Sequence, residues 1–105
     1  MAARCDIDLV DVLQALADPV RLQIVRHLAH VGEVACGTVP VPVSKSTISH
    51  HYKVLREAGI VHVRVEGTRR YQALRRKDLD ARFPGLLDTI LRAGVGDDRE
   101  ARSYA

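Results

Sequence analysis

At Gly59 the apolar spacing of this 105-residue chain changes from the helical period to the alternation of a strand. Upstream, Asp8 to Ala17 sets Leu9, Val12, Leu13 and Leu16 at i, i+3, i+4 and i+7, the pattern of one buried helical stripe. Asp18-Pro19 then reads as a cap with proline in the first turn, opening a second helix to about His30. That helix is expected to bury Val20, Ile24, Val25 and Leu28, to expose Arg21, Gln23 and Arg26, and to end at Gly32. Between Glu33 and Val43, Gly37, Pro40 and Pro42 break any long helix, which predicts an irregular connector with at most one turn near Glu33 to Cys36. Ser44 or Ser46 caps a third helix through Arg56, and Gly59 suits the left-handed position that ends it. Downstream, Ile60 to Val65 alternates or is β-branched, Glu66-Gly67-Thr68 turns, and Arg69 to Leu74 returns as the second strand of a hairpin. A last helix runs from Asp78 to about Ala93, interrupted at Pro84-Gly85.

Length and composition bound this pattern to one small domain. With 47% hydrophobic residues, 4% aromatics and no Trp, the core must be modest and aliphatic. Residues 1–95 are expected to form it, and the polar stretch from Gly96 is expected to be a disordered tail over 96–105. No apolar run approaches the roughly 18 to 20 residues of a membrane span, and none follows Met1 to Arg4, so a cytoplasmic location is expected. Two cysteines, Cys5 and Cys36, cannot build a disulfide framework; they are candidates for a redox or effector role. Charge is distributed unevenly. Between Ser44 and Lys77 nine basic residues face only Glu57 and Glu66, while the rest of the chain is net acidic. One face of the domain is therefore basic, and its partner polyanionic.

On a helical wheel Ile48, Tyr52 and Leu55 fall within about 60° of one another and face the core. Ser46, His50, Lys53 and Glu57 lie opposite, with Thr47 and Ser49 on the shoulders and His51 nearer the core, where a structural role is expected. A short helix with small polar and cationic outer residues fits the major groove of double-stranded DNA. The candidate DNA contacts are Lys45, Ser46, Thr47, Ser49, His50 and Lys53 on that helix, with Arg64, Arg69 and Arg70 at the hairpin tip. Arg75, Arg76 and Lys77 are expected only to neutralise Asp78 and Asp80. The chain has no Gly-rich phosphate loop, Cys-x-x-Cys or His-Glu-x-x-His, so neither catalysis nor a cofactor is expected.

The order of elements is that of a mainly α fold with a β-hairpin wing, a winged helix-turn-helix. Leu16-Ala17-Asp18-Pro19-Val20-Arg21-Leu22-Gln23-Ile24-Val25, then Ser46-Thr47-Ile48-Ser49-His50-His51-Tyr52-Lys53-Val54-Leu55-Arg56-Glu57-Ala58-Gly59, resembles the ArsR/SmtB family of bacterial transcriptional repressors. Glu66-Gly67-Thr68-Arg69-Arg70-Tyr71 is similar to that family's wing. The resemblance implies a homodimer, paired through its first and last helices, that occupies operator DNA and leaves it when an inducer binds. Leu9, Leu13, Leu86, Leu87 and Ile90 are the expected dimer interface.

Departures from the family limit what carries over. The Cys-x-Cys pair of metal-sensing members is represented by Cys36 alone in Glu33-Val34-Ala35-Cys36-Gly37, and no histidine follows His62, so no family metal site is expected. Thr38 to Val43 stands where the family has the first helix of its helix-turn-helix. Two uses of the cysteines stay open: a mixed ligand set of Cys36, Glu33, His27 and His30 with Cys5 of the partner subunit, or a Cys5 to Cys36 thiol switch. Two alternative functions also stay open, a winged-helix module that binds an acidic protein and a DNA-binding repressor with no inducer.

Overall fold

The computed structural model describes residues 7–35 and 44–95. In chain order these form α1 (Leu9–Leu16), α2 (Pro19–Val31), β1 (Glu33–Ala35), α3 (Lys45–Glu57), β2 (Val61–Glu66), β3 (Arg69–Leu74), α4 (Arg76–Arg82) and α5 (Leu86–Val95). Cys5, Cys36 and the tail 96–105 lie outside the described residues.

Short polar side chains start the first three helices. Asp8 accepts from the Asp11 N–H at 3.3 Å, and Asp18 Oδ1 accepts from Val20 and Arg21 N–H at 2.8 and 3.1 Å. Ser44 Oγ accepts from the Thr47 N–H at 3.2 Å, which selects Ser44 over Ser46 as the cap of α3. Each bond satisfies a helix N–H that has no partner within its own helix. Partial burial raises the Asp18 pKa, but the two backbone bonds and the nearby Arg21 outweigh it and hold the carboxyl below its usual 3.8.

The three strands form one antiparallel sheet in the order β1-β3-β2. β1 corrects the first three residues of the expected irregular connector, Val34 pairing with Gln72 and Glu33 with Ala73, while its residues 36–43 lie outside the described ones. A three-residue strand is too short to show a period of its own; the open edge of β3 recruits it. Glu66 and Arg69 are paired across a two-residue turn in which Gly67 has φ +61°, the positive value that a II′ hairpin needs at its first position.

The core gathers Ile7, Val12, Ile24, Val25, Leu28, Leu55, Ile60 and Val61, all buried, from both sides of the chain. Gly59 sits at φ +84°, and a Cβ there would lie 2.7 Å from Ile7 Cγ1, so backbone conformation and close approach both require glycine. The α1 stripe is narrower than its spacing suggests. Val12, Ala15 and Leu16 are buried, whereas Leu9 and Leu13 remain 42% and 44% exposed. α4 starts two residues before the expected Asp78. No described helix is long and apolar enough to cross a membrane.

Candidate nucleic-acid interface

α3 buries Ile48, Tyr52 and Leu55 and leaves Lys45, Ser46, Thr47, Ser49, His50 and Lys53 exposed. At its start Ser44 Oγ also donates to Thr47 Oγ1 at 2.8 Å and lies 3.2 Å from Ser46 Oγ. The three hydroxyls thus form a small network at the helix N-terminus. That end carries the positive side of the helix dipole, which favours a nearby anion such as phosphate.

The pleat of the hairpin decides where its arginines point. From the register, Val34, Val61, Val63, Gln72 and Leu74 share the face toward the core, and Glu33, His62, Arg64, Glu66 and Tyr71 share the outer one. Arg69 stands opposite Glu66 and Arg70 opposite Val65, so the two tip arginines belong to alternate faces of the wing. Both are exposed, as is Val65 at 62%.

Arg64 is not at the tip. Its Nε and one terminal nitrogen donate to the two carboxylate oxygens of Glu33 at 2.9 and 2.6 Å, a fork-to-fork pair between β2 and β1. The other terminal nitrogen lies 3.5 Å from Glu66, and the guanidinium carbon sits 4.6 Å from the centre of the Tyr71 ring. The hydrogen bond from Arg64 pulls the Glu33 carboxyl below its usual 4.5, and the bond to Glu33 holds the guanidinium still more firmly protonated. Farther on, Arg75 pairs with Asp78 and Arg76 with Asp80, as expected, and Arg76 also reaches Asp88 on α5. Lys45, Lys53, Arg69 and Arg70 have no carboxylate partner among the described residues.

Two further expectations change here. Leu87, assigned by sequence to a subunit interface, is 4% exposed in the single chain and belongs to its own core. Arg21, expected to be solvated, is instead only 15% exposed at its side chain. It donates to the Ala15 and Gln14 carbonyls at the end of α1 and, at 3.2 Å, to Nδ1 of His51 on α3. The partners stand across the chain, so helical spacing had no means of indicating them. His51 is half-buried, in its expected structural place. Among the described residues no three His, Cys, Asp or Glu side chains gather as metal ligands, and Glu33 is engaged by Arg64.

A helix with a polar outer face, a cationic wing and a small helical core define the class: a DNA-binding protein of winged helix-turn-helix architecture. Residues 16–64 match the model of a helix-turn-helix domain. The chain is 38% identical over 82 residues to the uncharacterized HTH-type transcriptional regulator YceK of Bacillus subtilis (strain 168), covering 75% of this chain and 82% of that protein. It is 47% identical over 76 residues to the HTH-type transcriptional regulator Rv2034 of Mycobacterium tuberculosis, covering 64% and 70%. A solved structure described as a possible transcriptional regulator for arsenical resistance is 35% identical and superposes with a TM-score of 0.60, over 83% of this chain and 95% of that one. The chain belongs to the ArsR/SmtB family of winged helix-turn-helix transcriptional regulators. It is a DNA-binding regulator and not an enzyme.

Proposed function

We propose that two copies of this chain pair through α1 and α5, read an inverted-repeat operator with α3, grip its phosphates with the wing, and repress transcription until a signal releases them. The observation that carries this reading is the segregation of charge. Lys45 and Lys53 on α3 and Arg69 and Arg70 on the wing are exposed and lack carboxylate partners among the described residues, while Arg64, Arg75 and Arg76 are paired. Exposed Leu9, Val10 and Leu13 on α1, with half-buried Leu86 and Ile90 on α5, supply apolar surface for a second copy. A twofold pair would set the two α3 helices roughly 34 Å apart, one turn of DNA.

Selecting duplexes from a genomic library tests the reading. The expected result is sequence-selective retention, a palindromic site, and lower transcription from a reporter carrying that site. Sedimentation should show a dimer that Leu13→Asp converts to monomer. Retention without sequence preference, or an unchanged dimer in the variant, would overturn the corresponding part. For the signal, titrating the complex with zinc, arsenite and peroxide should release the DNA in at least one case; Cys5→Ser and Cys36→Ser then show whether the thiols sense it.

A further inference from the structure

The apolar stripe of α3 settles which side of the helix is buried, but apolar packing has little directionality. A roll of about 10° about the axis moves side-chain tips, at a radius of about 5 to 6 Å, by about 1 Å. Hydrogen bonds to base edges tolerate only a few tenths of an ångström. Reading bases therefore needs a directional restraint on the roll of α3, placed on the flank of the buried stripe and not on the outward face.

His51 occupies that flank, about 70° from the centre of the stripe formed by Ile48, Tyr52 and Leu55. Its Nδ1 lies 3.2 Å from a terminal nitrogen of Arg21. A guanidinium has only donors, so Nδ1 is the acceptor and the ring proton of neutral His51 sits on Nε2. Arg21 is itself held on three sides. Its Nε donates to the Ala15 carbonyl at 2.6 Å, its second terminal nitrogen to the Gln14 carbonyl at 3.4 Å, and Asp18 Oδ2 stands 3.9 Å from the nitrogen that reaches His51. Those carbonyls belong to the last turn of α1, beyond the reach of the helix's own ladder; Gln14 O also accepts from the Ala17 N–H at 3.2 Å. The side chain thus joins α1, α2 and α3 at one point.

We infer that Arg21 is a positioning residue for DNA recognition: braced against the end of α1, it fixes the rotational setting of α3 through His51. Neither side chain is assigned a DNA contact; both act through the base-reading side chains Ser46, Ser49 and His50. The inference rests on α3 being the element that reads bases.

The test compares the tightest duplex selected from a random library with a shuffled duplex of the same length. His51→Leu is expected to lower the ratio of the two affinities about 10-fold, with binding to the shuffled duplex and its salt dependence unchanged. His51→Gln, whose side-chain carbonyl can accept from Arg21, should restore most of that ratio. Adding Arg21→Met to His51→Leu should cost nothing further. A role in stability alone would lower the melting temperature and leave the ratio unmoved while the fold is populated. An unchanged ratio for folded His51→Leu, or losses from Arg21→Met and His51→Leu that add in full, would overturn the inference. Should Arg21→Met not fold, because the end of α1 loses the Arg21 donors, the two His51 variants carry the test. Ser49→Ala with His50→Ala separates the underlying reading: if that pair lowers the ratio and His51→Leu does not, only the positioning role fails. If neither moves it, α3 is not the reader and both fall.

Discussion

The outer face of α3 and the outer face of the sheet are both polar and both carry cations, yet they treat charge in opposite ways. On the sheet, Arg64 spends its guanidinium on Glu33, Glu66 and the Tyr71 ring. On α3, Lys45 and Lys53 stand exposed without a carboxylate among the described residues, and Arg69 and Arg70 at the wing tip do the same. The excess of basic residues between Ser44 and Lys77 therefore overstates the charge available to DNA. A cation already satisfied by two carboxylate oxygens must give up that pairing to meet a phosphate; an exposed lysine gives up only water and loosely held ions.

Salt dependence tests this contrast most strongly at the unpaired cations. Lys53→Ala with Arg70→Ala removes four phosphate contacts per dimer. The expected loss is at least about 100-fold in affinity near 0.1 M salt, with the slope of log K against log salt shallower by about 3 to 4. An unchanged slope would remove these side chains from the interface. Next in size is the contrast between two arginines of one hairpin. Arg69→Met should flatten the slope by about 0.9 per subunit, whereas Arg64→Met should leave it unmoved. Both stand on the outer face of the sheet, so equal slopes for the two variants would erase the distinction between paired and unpaired cations. Glu33→Gln sharpens it in the other direction: an Arg64 left with Glu66 as its one carboxylate partner should steepen the slope by up to about 0.9 per subunit.

The smallest effects belong to the caps. Asp18→Ala should cost about 1 kcal/mol of stability in thermal or urea unfolding. Because the folded-state Asp18 carboxyl titrates below its usual 3.8, its stabilising contribution is fully present above that value and is lost as pH falls through the folded pKa. Unfolding curves of Asp18→Asn and the parent chain should accordingly converge in relative stability below about pH 3.8, and parallel curves across that range would dismiss the linkage.

Much of the site could be read from local pattern. The outward set Lys45, Ser46, Thr47, Ser49, His50 and Lys53 follows from the spacing of Ile48, Tyr52 and Leu55, and the structure leaves all six exposed. Arg69 and Arg70 follow from the turn at Gly67. Arg64 escaped the same reasoning because its partner Glu33 lies 31 residues earlier, on a strand with no signal of its own. Leu87 escaped because an apolar residue at helical spacing faces the core and a partner with equal ease in one dimension; only its burial in one core with Val12, Leu16, Ile60 and Leu79 resolves it.

Interactions that close within about four residues were already present in the amino-acid order: the Asp18 and Ser44 caps, the glycine at position 59, the two-residue turn, the stripe of α3. Backbone geometry alone brings such groups together, so their identity is enough to specify them. Folding in three dimensions made the remaining choices, pairing Arg64 with Glu33, recruiting β1 to β3, and setting Arg21 against His51. Those partners meet because helices and strands pack at particular distances and angles, and a linear pattern holds no record of which distant donor an acceptor will face.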